Sequence, residues 1–379
     1  MKTVLRLLPL SIAFAATHAS AANYAVEARG DAMGGVGVVS ANFLTAPFYN
    51  PALTAIYRRN DDIGMITPSI GFEYTDSGSF IDGLDSTKNF INNPGNDAEL
   101  AKALDALDAG SLNFELGGVV AFAIPNQYIA VNAFGKAYTE SFATANIDST
   151  TGDAYLDAAN STVEAVSIGV TEVGISLAKY QTFLGQHISF GVSPKLQRVY
   201  TYLYEASLTN YDLKDLRDNG TGETMFNVDA GFLWFHGPFR IGLSGTNLIE
   251  RDIETKTIYS TVDNSAISYS YKMSPQYTVG AGIVADYFTL SADYDLKEEE
   301  RYNEFADNRQ MVRVGAELDI MRQLKLRAGW NKNLAYENLD DTVTVGLGLS
   351  PLNLFQLDVG ASYTNENSMG AYINFLTSY

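Results

Sequence analysis

With 379 residues and no cysteine, the chain excludes a disulfide scaffold, a cysteine nucleophile and thiolate metal sites. Its 44 acidic against 25 basic side chains argue against nucleic acid as a direct ligand, because phosphate binding needs clustered Lys and Arg. The 46% of hydrophobic residues resembles a soluble protein. A transmembrane barrel has the same average, since only every second residue of its strands faces lipid.

The chain opens with a basic start at Lys2 and Arg6, an apolar run from Leu7 to Ala16, and the small-x-small site Ala19-Ser20-Ala21. That order predicts a secretory signal peptide over residues 1–21, too short in its apolar run to span a bilayer. Residues 22–61 follow. They include the Gly-rich stretch ARGDAMGGVGVVSANFLTAPFYNPALTAIY, which lacks clean alternation. It is expected to be a hatch or plug inside a barrel, not a wall strand.

Residues 62–379 are expected to form an outer-membrane β-barrel. Fourteen strand segments are predicted: 63–74, 112–125, 128–143, 163–180, 188–206, 225–235, 239–248, 267–285, 287–296, 311–320, 324–333, 342–350, 355–364 and 369–379. Successive strand residues face opposite sides. Val343, Val345, Leu347 and Leu349 thus share one wall, and Thr344, Gly346 and Gly348 the other. Connections at 126–127, 183–186, 236–238, 286, 321–323 and 351–353 are short. Those at 75–111, 144–162, 207–224, 249–266, 297–310 and 334–341 are mostly longer. Short turns on one side and long loops on the other are expected of outer-membrane barrels, whereas a soluble sandwich has no reason to sort its loops. The fold class is therefore all-β: a transmembrane antiparallel barrel of about fourteen strands in a bacterial outer membrane.

Three local features stand out. In the first long loop, NDAELAKALDALDAG reads as a helix with Leu100, Leu104 and Leu107 on one face. That face is either a lid over the mouth or simple rim packing. In the fourth segment, Val166, Ile168 and Val170 lie on one parity and Val173, Ile175 and Leu177 on the other. A bulge at Glu172 would restore the phase. Gly135 could mark a strand bend. The chain ends in GAYINFLTSY, whose aromatic positions Phe375 and Tyr379 are expected to act as an assembly signal for the barrel assembly machinery.

Site chemistry is sparse. His187 and His236 fall at predicted turns, with no zinc site or Ser/His/Asp triad in view. GDAMGGVG lacks the Lys-Ser/Thr of a phosphate loop. Neither an enzyme role nor a cofactor is expected. Glu317, Asp319 and Asp358 have barrel-facing parity and are expected to pair with Arg313, Lys325 and Arg327 across neighbouring strands.

The stretch Phe48-Tyr49-Asn50-Pro51-Ala52-Leu53, preceded by Gly34, Gly35 and Gly37, resembles the hatch of the FadL-like long-chain fatty acid transporter superfamily. Within that group the chain is most similar to the TraF-like proteins named for conjugal transfer operons. The resemblance implies a passive, hatch-gated channel for hydrophobic small molecules, fatty-acid-like or aromatic. Asn50, Pro51, Ala52, Gly34 and Gly35 would serve the gate. Outer-membrane lipid would surround the wall, with a lateral exit at a kink near Gly135. The alternative is a structural or interaction barrel assisting a conjugal transfer or secretion apparatus. The charged inward residues of the late strands depart from the apolar path that a fatty-acid channel should offer.

Overall fold

The computed structural model describes residues 27–57, 63–93, 95, 97–108, 110–209, 211, 219–302, 305, 307–336, 340–351 and 355–378. The signal peptide expected at 1–21, and Tyr379, lie outside them.

Fourteen strands close into one antiparallel barrel. Seven precede residue 250: β1 (Gly64–Ser77), β2 (Ser111–Ile124), β3 (Ala130–Asn146), β4 (Thr162–Phe183), β5 (Gln186–Ser207), β6 (Gly220–His236) and β7 (Phe239–Thr246). Four short strands then make two small ribbons separate from the barrel ladder: β8 (Arg251–Glu254) with β11 (Ser270–Met273), and β9 (Ile258–Tyr259) with β10 (Ala266–Ile267). Seven more complete the wall: β12 (Gln276–Val284), β13 (Phe288–Asp295), β14 (Met311–Ile320), β15 (Leu324–Asn333), β16 (Thr342–Leu349), β17 (Gln356–Asn365) and β18 (Ser368–Ser378). β18 pairs with β1, so the ladder has no free edge. Among the described residues no helix is long and apolar enough to cross a membrane.

The alternation is inside-out relative to a soluble protein. On β16, Val343, Val345, Leu347 and Leu349 are about half exposed, while the neighbouring Asp358, Arg327 and Glu317 are buried. Apolar side chains point outward and charged ones inward. In water this would cost both ways; in hydrocarbon it is the stable arrangement.

Several boundaries differ from the sequence expectation. The eighth segment, expected at 267–285, is wall only over Gln276–Val284. Pro275 interrupts it, because proline has no N–H to give a ladder, and the residues before it pair with β8 and β9 instead. No bulge occurs at Glu172, which pairs with Lys136 and Gln197 in unbroken register. Val166, Ile168 and Val170 do face the lumen; there they pack on Tyr271, Met273, Tyr302 and Phe305 from the long connections. The phase changes because the inner face of β4 is apolar at the mouth, at Val166, Ile168 and Val170, and polar below it, at Glu172 and Ser176.

The kink expected at Gly135 is also absent. Gly135 pairs with Val120 and Val173 in continuous ladders. A register shift lies instead in β1, between Thr67 and Ile70 against β18 and between Ile66 and Ser69 against β2, and another at the end of β17 between Tyr363 and Asn365. Pro68 sits at the β1 bulge, where its missing N–H is tolerated.

Helices α2 (Phe80–Asn92) and α3 (Asp97–Asp108) stand in the first long connection, and α4 (Ala154–Asn160) in the second; a one-turn helix, α1 (Ala28–Asp31), begins the described chain. Leu100, Leu104 and Leu107 are buried with Phe80 against Val163, Ala165, Tyr204 and Ala206. Val163 and Ala165 share the outward parity of Val173 and Ile175. The leucines therefore clad the outside of the long β4–β5 extension and do not roof the mouth. The lid expectation gives way to rim packing, because these strands continue past their neighbours and expose an apolar flank that needs cover.

Candidate functional site

Residues 27–57 lie inside the barrel and are almost wholly buried. The Glu27 carboxylate caps α1, accepting from the Arg29 and Gly30 amides at 3.1 and 2.9 Å. Asn374 of β18 donates to Glu27 Oε1 at 2.7 Å. Arg29 makes a two-pronged contact with Glu317 of β14, Nε to Oε2 at 3.1 Å and Nη2 to Oε1 at 3.0 Å, and its Nη1 donates to the Ser40 carbonyl at 2.8 Å. This fork ties the segment to the wall and to itself.

Gly34 and Gly35 have φ of 74° and 83°, the left-handed region that a side chain would strain. The turn aims the Gly34 amide at Thr344 Oγ1 of β16, 2.8 Å away. The next amides, of Gly37 and Val38, both donate to Asp293 Oδ2 of β13 at 2.7 and 3.0 Å. Other wall side chains satisfy the carbonyls. Arg240 donates to Val39, Ser244 to Tyr49, Ser189 to Ala52, and Asn132 to both Phe43 and Leu44. An irregular segment deep in a barrel must find partners for its backbone, and here the polar inner wall supplies them.

Asn50 is the centre of this arrangement. It is fully buried, and its Oδ1 accepts from the Ala52 amide at 3.0 Å, capping the short 3-10 helix Pro51–Ala55. Its Nδ2 donates to the carbonyls of Val38 at 2.9 Å and Phe232 at 3.1 Å. Pro51 opens the helix with a preset φ and no orphan N–H. Asn50→Ala strands one buried amide and weakens two carbonyls. It should destabilise the seated segment by about 1–3 kcal/mol, read as faster proteolysis of residues 27–57 in the intact barrel. Proteolysis at the wild-type rate would remove Asn50 from this role.

Around the segment runs a buried ion-pair lattice. Arg327 of β15 contacts Glu317 and Asp358, each at 2.7 Å. Arg313 pairs with Asp295 at 2.8 Å. Lys195 bridges Glu172 at 3.2 Å and Asp229 at 2.8 Å. The expected pairing of Glu317 and Asp358 with Arg327 is thus present. Lys325 reaches Gln356 instead of a carboxylate, although Asp319 is its register partner. Lys136, Glu172, Lys195 and Asp229 line a small polar chamber against Phe48.

One stretch of the lumen is apolar. Phe43, Leu44, Phe48 and Leu53 pack on Ile66 of β1, Val119, Ala121 and Ala123 of β2, Phe134 of β3 and Leu376 of β18. Phe48 and Phe134 meet edge to face at 5.9 Å. This seam runs beside the β1 bulge. At the mouth, Arg301 and Arg309 reach Glu140 and Glu115, drawing the β13–β14 connection inward. Burial pushes the Asp307 carboxyl there up to about 6, against the opposing pull of Arg301.

Gly34, Gly35, Asn50, Pro51 and Ala52 all lie in the lumen segment, and Arg29 and the wall groups that bind it join them without having stood out in the sequence. An Arg in an otherwise small-residue stretch was the available signal. Phe375 is half-buried and stacks on Phe355 at 5.2 Å on the outward face. Among the described residues no group of three His, Cys, Asp or Glu side chains could hold a metal ion.

A closed fourteen-stranded barrel with an amino-terminal segment hydrogen-bonded inside it defines an outer-membrane-type fold of the FadL kind. The chain belongs to the family described as F plasmid transfer operon, TraF, protein, whose profile matches residues 47–295, more than half of it. No curated protein matches it. Among solved structures it is similar to the Ralstonia pickettii toluene transporter TbuX, with a TM-score of 0.58, 15% identity, and coverage of 94% of this chain and 99% of that one. The P. putida toluene transporter TodX follows at 0.56 and 10%, with 94% and 99% covered. A Pseudomonas aeruginosa FadL homologue gives 0.54 and 11%, with 96% and 99% covered. At such identities the likeness concerns the fold.

Proposed function

We propose that this protein is a passive, hatch-gated outer-membrane channel for hydrophobic small molecules, fatty-acid-like or aromatic. The observation that carries the reading is the apolar seam between residues 43–53 and strands β1–β3, which runs beside the β1 bulge. A hydrophobic solute moving along that seam stays clear of the Arg327 ion pairs of β14, β15 and β17. Leaving sideways at the bulge, it would enter lipid without returning to water. Two structures of the same fold are named toluene transporters, which agrees with this choice of solute. Residues 22–61 then act as the hatch, with Gly34, Gly35, Asn50, Pro51 and Ala52 setting its seat. The leader at 1–21 directs export, and Phe375 and Tyr379 serve the barrel assembly machinery.

The test is uptake of radiolabelled toluene and oleate by cells carrying the wild type or two variants. Deleting Pro68 removes the extra residue of the bulge and should abolish most uptake at normal barrel levels. Pro51→Ala should change uptake by loosening the hatch. Unchanged uptake in both variants would defeat the channel reading. A second reading, a barrel assisting a conjugal transfer apparatus, is favoured by the family description and by the ion-paired lumen. It expects a transfer defect, with uptake intact, when the gene is removed.

A further inference from the structure

The mouth of the barrel holds a nest of aromatic rings that the chain fills with one of its own side chains. Phe305, in the β13–β14 connection, is buried. Its ring meets Phe142 of β3 at 5.5 Å and 77°, Tyr269 at 5.0 Å and 90°, and Tyr302 at 6.1 Å and 75°. All three contacts are edge-on. Such contacts come from the opposite signs of charge at a ring's face and edge, and an acyl chain has neither to offer.

Phe142 and Tyr269 are anchored independently of Phe305, and Tyr302, whose carbonyl accepts from the Phe305 amide at 3.2 Å, is held from outside its own connection by Tyr271. Phe142 belongs to a wall strand that pairs on both sides. The Tyr269 hydroxyl donates to Glu164 of β4 at 2.8 Å, and its amide donates to Thr255 Oγ1 at 2.9 Å. Tyr302 packs on Tyr271 at 5.2 Å and is bridged to it through the backbone. Arg301 and Arg309 hold the flanks of the same connection to Glu140 and Glu115. If the Phe305 ring leaves, a ring-shaped site with fixed walls remains. Around it lie the further apolar side chains Met225 and Met273.

We infer that this nest is an entry site for a single benzenoid ring, with Phe305 as its built-in occupant in the unliganded protein. A ligand ring takes over the three edge contacts that Phe305 gives up, so exchange is nearly balanced and binding stays reversible. This rests on the channel reading and narrows its substrate class to aromatic rings over acyl chains.

The experiment uses the full chain in nanodiscs and the water-soluble probe 4-fluorophenol, followed by fluorine NMR line broadening against empty nanodiscs. Cyclohexanol and octanoate are the competitors. Saturable broadening is expected with the wild type. Phe305→Ala should tighten binding by about tenfold, and Phe142→Leu, which keeps an apolar side chain but loses the ring, should weaken it by a similar factor. Phe80→Ala, a buried ring in the outer helices, should bind as the wild type does. Binding by Phe305→Ala alone, with none by the wild type, would mean only that an emptied cavity accepts an aromatic solute, and the site would fall. Equal competition by cyclohexanol or octanoate would overturn the ring preference. Failure of the nest and failure of the channel are separable. Phenol binding without cellular uptake leaves the nest and removes the channel, and oleate uptake without phenol binding does the reverse.

Discussion

Arg327→Met should destabilise the barrel by about 3–5 kcal/mol, the range for removing one partner of a buried ion pair. Arg327 is completely enclosed, with Glu317 on one side and Asp358 on the other, each at 2.7 Å. Glu317 keeps Arg29, and Asp358 keeps the Gln356 amide at 2.7 Å. Neither replacement matches a guanidinium that serves both carboxylates at once. Methionine fills the volume, so the loss is electrostatic and not a cavity. The double variant Arg327→Met with Asp358→Asn should recover part of the loss, because the orphaned charge is gone. Urea unfolding in lipid vesicles, read by tryptophan fluorescence, measures both. A single variant within about 1 kcal/mol of the wild type would show that the lattice tolerates an unpaired lumen carboxylate and is not what holds the late strands together.

The second large effect is steric. Gly329 of β15 faces the lumen segment so closely that a Cβ there would lie 2.1 Å from the Gly34 nitrogen and 2.2 Å from the Met33 carbonyl carbon. Both are backbone atoms and cannot rotate away. The wall itself has no objection, since Gly329 pairs regularly with Gly315 and Thr344. Gly329→Val should therefore leave a closed barrel and unseat residues 27–57. The expected signs are retained heat-modifiable migration, rapid protease cleavage within 27–57, and a several-fold rise in permeability to large antibiotics. Ala328→Val, one residue away on the lipid face, should do none of this. A protected segment and wild-type permeability in Gly329→Val would mean that the lumen contents are not set by this contact.

These two residues also show how far the pattern of the chain can be read. The inward parity of Arg327, Glu317 and Asp358 follows from strict alternation along β14, β15 and β17. Their mutual pairing follows from the short turns that fix neighbouring registers. The close approach at Gly329 does not follow from either. Nothing local to β15 says which residue will stand opposite it across the lumen, because Met33 and Gly34 are almost three hundred positions away. The same division explains Gly135 and Pro68. A glycine inside a strand suggests a bend but permits a regular ladder, and β3 takes the regular choice. A proline inside a strand forbids a donor, and β1 bulges there. Leu100, Leu104 and Leu107 were legible as one buried face of a helix. The surface that buries them was not, since it depends on how far β4 and β5 overrun their neighbours.

The amino-acid pattern alone determines the class of this protein. A two-residue period with one apolar wall, turns sorted by length, and an irregular Gly-rich start specify a closed membrane barrel with something inside it, because strand geometry and hydrocarbon leave few other solutions. Only the tertiary structure decides what the inside is like. Arg29 grips Glu317, Asn50 ties three backbone groups, Phe305 sits among three rings, and the apolar seam lies against β1 and not β4. Each of these depends on contacts between residues far apart in the chain. Such contacts are set by the closure and register of the whole wall, which no local stretch of sequence contains.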